Sequence, residues 1–155
     1  MSEVFTKTMA RNIFYGGSVF FFLLLLALTF DTQGVLAERD HRENITPEVV
    51  LGKKIWEDND CIGCHTLLGE GAYFAPELGN VYKRRGNSNP AAFKIFMSSW
   101  IKYRQAANDD LTQKGDHRRR MPQFDLTDEE INALSEFFIW TANVNTANWP
   151  PNIEG

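Results

Sequence analysis

The sequence predicts a mainly α chain, with a single N-terminal transmembrane helix followed by a small helical domain. Three observations carry this. Residues 12–30 contain no charged side chain, three later segments place apolar residues at helical spacing behind clear start signals, and both cysteines fall in one short motif, Cys61-Ile62-Gly63-Cys64-His65. The chain has 155 residues, with 16 Lys and Arg against 20 Asp and Glu for a net charge of −4. That balance lacks the basic footprint of a nucleic-acid binder. The first 30 residues hold Glu3, Lys7 and Arg11 as their only charges, together with six of the twelve Phe. An apolar leader is thus joined to a water-soluble domain.

The leader comes first. A helix over residues 12–30 spans about 28 Å at ~1.5 Å per residue, close to the ~30 Å hydrocarbon core of a bilayer. In lipid the backbone must satisfy its own hydrogen bonds, so the segment is read as a helix. Gly16, Gly17 and Ser18 form a small-residue patch where another membrane helix could approach closely. A cleaved export signal is the rival reading: Lys7 and Arg11 make a positive n-region, and Val35-Leu36-Ala37 is an acceptable cleavage site. The apolar run is longer than the ~7–15 residues usual for a signal, and a retained anchor is the preferred reading. Counting Lys and Arg only, the flanks weakly favour an inside N-terminus.

The cysteine motif follows. C-x-x-C-H is the pattern of covalent c-type haem attachment. Two thiols three apart can reach both vinyl groups on one edge of the macrocycle, and the imidazole of the next residue, His65, then comes under the iron. A thioredoxin-like dithiol would want a βαβ context, zinc would need four ligands, and a disulfide across so short a loop would contribute little. The motif occurs once, so one haem is expected. Attachment of this kind takes place outside the cytoplasmic membrane, which puts the domain outside and the N-terminus inside.

Three helices are expected in that domain. The first has Thr46 as N-cap and Pro47 at the first helical position and runs to about Asn59. The second covers residues 90–103, with Phe93, Phe96, Met97, Trp100 and Ile101 at helical spacing. In the last, Thr127 and Glu130 make a capping box, and Leu126 and Ile131 a hydrophobic staple. Its apolar face holds Ile131, Leu134, Phe137, Phe138, Trp140 and Val144. Gly52, one turn before Trp56, offers a notch for that face, at a cost of ~1 kcal/mol relative to Ala in a helix interior.

The second iron ligand must come from His41, His117, a Met, or nothing. Met1 and Met9 precede the span, and Met97 lies on the periodic face of its helix and reads as core. Met121 stands in a polar loop directly before Pro122 and just ahead of the last helix. It is the expected ligand, with His117 as the alternative, and His/Met ligation raises the reduction potential.

With these pieces in place the soluble part resembles a class I cytochrome c. The run His65-Thr66-Leu67-Leu68-Gly69-Glu70-Gly71-Ala72-Tyr73-Phe74-Ala75-Pro76-Glu77-Leu78-Gly79-Asn80 is more specific. It is similar to the small cytochrome c subunit of bacterial cytochrome-c-dependent nitric oxide reductase. Met9-Ala10-Arg11-Asn12, Met121-Pro122-Gln123-Phe124-Asp125-Leu126 and Asn148-Trp149-Pro150-Pro151-Asn152 match the same family, so the resemblance covers nearly the whole chain. It implies four parts: a cytoplasmic N-terminus (1–12), a transmembrane helix (13–30), a linker (31–45) and a periplasmic cytochrome c domain (46–155) at a bacterial inner membrane.

By the same resemblance, Cys61 and Cys64 hold one haem c, and His65 and Met121 are its axial ligands. The Pro76 carbonyl accepts from the other imidazole nitrogen, Leu78 packs on the porphyrin, and Arg84 lies near a propionate. The Gly69–Phe74 loop offers the carbonyls of Gly71 and Tyr73 to an interfacial calcium. Partners implied are the bilayer, a soluble cytochrome c or cupredoxin donor, and a large polytopic subunit. That subunit bears haem b and a haem b3/non-haem iron centre, where two NO become N2O. The chain itself would carry no catalytic centre. The run Lys114, His117, Arg118, Arg119, Arg120 could steer an acidic donor, although charge runs are usually only solvated. Rival readings are a cytochrome subunit of a haem-copper oxidase, a free-standing anchored carrier, or a gas-sensing haem protein, which needs a displaceable sixth ligand.

Overall fold

The computed structural model describes residues 5–106 and 121–146. The chain divides between Arg39 and Asp40 into two units.

The described part of the first unit is dominated by one helix, α1 (Lys7–Asp40), of 34 residues with no buried side chain, whose last residue is the first of the second unit. Among the described residues it is the one helix long and apolar enough to cross a membrane. At ~1.5 Å per residue it is about 50 Å long, so residues 13–30 form its middle and residues 31–40, read as linker, continue it. Asp31, Thr32 and Gln33 interrupt the hydropathy without breaking the helix. Thr29 Oγ1 donates to the Leu25 carbonyl and Thr32 Oγ1 to the Leu28 carbonyl, both at 2.8 Å, so the helix absorbs these hydroxyls.

The second unit is built on α2 (Pro47–Asp58), α3 (Val81–Gly86), α4 (Pro90–Ala106) and α5 (Asp128–Thr141). A two-stranded antiparallel hairpin, β1 (Thr66–Leu67) and β2 (Glu70–Gly71), lies between α2 and α3. Thr46 caps α2 by accepting from Val49 N at 3.3 Å, and Pro47 occupies the first turn as expected. At α5 both arms of the capping box form: Glu130 N donates to Thr127 Oγ1 at 3.2 Å, and Thr127 N to Glu130 Oε2 at 2.8 Å. α4 outruns the expected residue 103 by three positions. The hairpin and α3 escaped prediction because each is too short to show a period.

α2 packs most extensively against α5, and the crossing is at Gly52. A Cβ there would run into the Ala133 carbonyl and stand 2.7 Å from Phe137 Cβ. Phe137, Phe138, Ile131 and Leu134 are buried as the apolar pattern requires, while Trp140 and Val144 are half-buried. Burying one such side chain contributes about 1.5–3 kcal/mol, so this face dominates the core. α4 closes the core with Phe93, Met97 and Ile101.

Candidate haem site

The motif opens directly off the end of α2. Asp60 has φ +51°, a left-handed conformation that turns the chain out of the helix into the single turn Cys61–Gly63. Cys64 N and His65 N both donate to the Cys61 carbonyl, at 3.2 and 2.9 Å. Both thiols and the imidazole are therefore presented by one turn. The sulfurs are not joined to each other. Burial, aided by Asp60, pushes the Cys61 thiol up to about 11.

His65 is half-buried, and its Nδ1 lies 2.7 Å from the Pro76 carbonyl. A carbonyl can only accept, so Nδ1 carries the proton and Nε2 keeps the lone pair. Burial holds the imidazole below its ordinary pKa, opposed by the Pro76 bond. The neutral ring is the form that ligates a metal, and a bond from the other nitrogen is what orients such a ligand. The Trp56 ring, 3 % exposed, stands 6.4 Å from the His65 ring and 5.7 Å, edge-on, from Phe138. The imidazole is thus backed by the α2–α5 core.

The chain after His65 folds back on the same turn. Leu68 and Gly69 link β1 to β2 with φ +52° and +92°, the paired left-handed geometry of a tight hairpin. Ala72 N donates to the Ile62 carbonyl at 3.0 Å, Ala75 N to Cys64 at 2.9 Å and Leu78 N to Thr66 at 2.9 Å. Gly71, φ +108°, lies where a Cβ would meet the His65 carbonyl and stand 2.9 Å from Ile62 Cγ1. Tyr73 is exposed, two residues further on.

Sequence reasoning missed Glu77. It is 3 % exposed, and its carboxylate accepts from Gly79 N and, at 3.2 Å, from Asn80 N, where α3 begins. Arg84 completes the arrangement. Its Nη1 is 3.0 Å from Glu77 Oε2 and its Nη2 donates to the Glu77 carbonyl. The guanidinium expected near a propionate is thus engaged with the residue next to Pro76.

Met121 is half-buried and packs against the core cluster, as do Cys61, Leu67 and Leu78. Its carbonyl accepts from Arg104 Nη2 at 2.8 Å. Met97 is core, as its helical position suggested. His41 follows α1 in a left-handed conformation, its Nδ1 3.4 Å from Glu43. His117, the basic run 114–120 and the tail residues 148–152 lie outside the described residues. Arg104, buried in α4, was also missed. The signal was present, since it continues the stripe Phe93, Met97, Ile101, but its residue type reads as surface.

The donor set fits a covalent haem: two thiols, a neutral imidazole with Nε2 spare, and a thioether against the same core. Among the described residues, the buried Thr66 Oγ1 and Trp140 Nε1 find no hydrogen-bond partner. This architecture and donor set define a cytochrome c. The cytochrome c family model matches residues 49–142, and such a domain implies covalently bound haem c. The chain belongs to the family of nitric oxide reductase cytochrome c subunits. It is 52% identical to the nitric oxide reductase subunit of this family from Stutzerimonas stutzeri over 155 residues and 52% identical to that of Paracoccus denitrificans over 157. The corresponding protein of Halomonas halodenitrificans is 45% identical. Each match covers 100% of both chains.

Proposed function

We infer that this chain is the membrane-anchored, monohaem electron-transfer subunit of a nitric oxide reductase. It takes electrons from a soluble periplasmic cytochrome c or cupredoxin and passes them to a polytopic catalytic subunit that reduces NO to N2O. The observation that carries this is the turn in which Cys61, Cys64 and a Pro76-oriented His65 stand together, in a chain that matches its nitric oxide reductase relatives from end to end. Bound haem c supplies a one-electron couple. Cys61 and Cys64 would fasten it, His65 and Met121 would supply its iron ligands and Leu78 would pack against it, while Trp56 backs His65. Arg84 acts on this site through Glu77.

α1 anchors the domain, with the N-terminus inside and the haem domain in the periplasm of a bacterial inner membrane. The span is residues 13–30. The main-chain carbonyls of Gly71 and Tyr73 serve an interfacial calcium, a hard cation that takes such oxygens. Metal analysis of the washed complex should find calcium, and its absence would remove this element.

Affinity purification of the tagged chain in detergent tests the main reading. A larger haem b protein should co-purify and the preparation should turn over NO with a reduced cytochrome. Isolation alone would mark a free-standing carrier, co-purification with an oxygen-reducing subunit would mark an oxidase, and fast CO binding to the ferrous domain would mark a sensor.

A further inference from the structure

Residues 121–126 form no helix or strand, so no backbone ladder sets their course into α5. Two consecutive side chains at the end of α4 attach to them. Arg104 Nη2 donates to the Met121 carbonyl at 2.8 Å. Gln105 Nε2 donates to the Phe124 carbonyl at 2.7 Å and the Leu126 carbonyl at 2.9 Å. Arg104 is 9% exposed and Gln105 half-buried. A charged donor on a shielded carbonyl makes a stronger bond than a neutral pair.

We propose that Arg104 and Gln105 are positioning residues for the sulfur ligand. They fasten both ends of the strap so that the Met121 thioether stays on the iron. This rests on the reading of Met121 as ligand. The physical case is one of competition. A methionine sulfur is an uncharged donor, and a strap without regular structure gains backbone entropy with each residue it frees. Arg104 opposes that release at the liganding residue itself, because it holds that residue's own carbonyl. Gln105 opposes it where the strap enters α5, through the Leu126 carbonyl and the Phe124 carbonyl, the latter shared with Leu126 N at 3.1 Å. α4 is in turn fixed by Phe93, Met97 and Ile101 in the core, so the strap is tied to a rigid element.

The test uses the intact haem-loaded complex, with Arg104→Gln and Gln105→Ala as the variants and Met121→Ala as reference. In the wild type, the ferric Fe–S charge-transfer band should be present and the ferrous haem c, followed at its own absorption bands, inert to CO; Met121→Ala should lose the band. Arg104→Gln should shift the ratio of sulfur-bound to sulfur-free iron about tenfold, the effect of about 1.4 kcal/mol. The band weakens, CO binding accelerates and the reduction potential falls. Arg104→Lys should restore part of the band. Gln105→Ala should weaken the band too, and keeps the test open should Arg104→Gln not accumulate. Folded variants with the wild-type band and CO inertness would overturn the proposal while leaving Met121 as ligand. A band that survives Met121→Ala would remove the ligand reading itself.

Discussion

Gly52 meets the carbonyl of Ala133 so closely that no side chain can stand between them. This backbone-to-backbone crossing of α2 and α5 sets the depth at which Trp56 reaches His65. In an exposed helix, Gly→Ala gains about 1 kcal/mol of propensity. Here the added methyl would also stand 2.7 Å from Phe137 Cβ, and overpacking of this kind costs about 1–3 kcal/mol. Gly52→Ala should therefore lower the thermal midpoint of the haem-loaded protein, followed by loss of the Soret band. A raised midpoint would mean that propensity outweighs contact and that the helices can slide apart.

The parts of this arrangement legible in the sequence are those with local causes. Thr46-Pro47 and the Thr127/Glu130 box announce helix starts through bonds made within one turn. The stripe in α5 declares its buried face by period, and the motif at Cys61 declares its chemistry by spacing. What stayed hidden depends on contacts between residues distant in the chain. Glu77 and Arg104 are of types that ordinarily lie on the surface. Their burial follows from Arg84, seven positions on, and from the Met121 carbonyl, seventeen positions on. α1 extends past its apolar stretch because helix formation tolerates Asp31 and Gln33 where a hydropathy reading does not.

The box at α5 carries a prediction of its own. Thr127 Oγ1 is the acceptor for Glu130 N at 3.2 Å, and removing an N-cap hydroxyl costs about 1 kcal/mol. Thr127→Ala should destabilise the domain by about that amount in chemical denaturation, whereas Thr127→Ser should be nearly silent. Equal losses in the two variants would mean that the threonine methyl, not the cap, is what matters.

Covalent attachment can be read directly from pigment. With both thiols on one turn, the wild-type polypeptide should keep its colour through acidified organic solvent and on a denaturing gel stained for haem. Cys61→Ala/Cys64→Ala should lose all covalent pigment, and each single variant should hold haem by one thioether with an altered pyridine haemochrome spectrum. A double variant that still carried unextractable haem would place the attachment elsewhere.

The Glu77–Arg84 pair is the sharpest electrostatic test, because its two halves are unequal. Glu77 is almost fully enclosed while the Arg84 side chain keeps 27% of its surface in water. Removing the arginine leaves a buried carboxylate that, among the described residues, keeps the amides of Gly79 and Asn80 as partners. Breaking one side of a buried pair costs about 3–5 kcal/mol, and the partial exposure of Arg84 places the loss for Arg84→Ala at about 3. Glu77→Gln keeps an acceptor for the α3 amides and frees a guanidinium that can reach solvent, so it should cost less. The double variant should then be more stable than Arg84→Ala alone, since the stranded charge is gone. Because Pro76 precedes Glu77, a loosened carboxylate should also disturb the His65 bond, seen as a shifted reduction potential in Arg84→Ala that the double variant partly reverses. Strictly additive losses in a double-mutant cycle, with no change in potential, would mean that the pair neither holds α3 in place nor steadies the carbonyl facing His65.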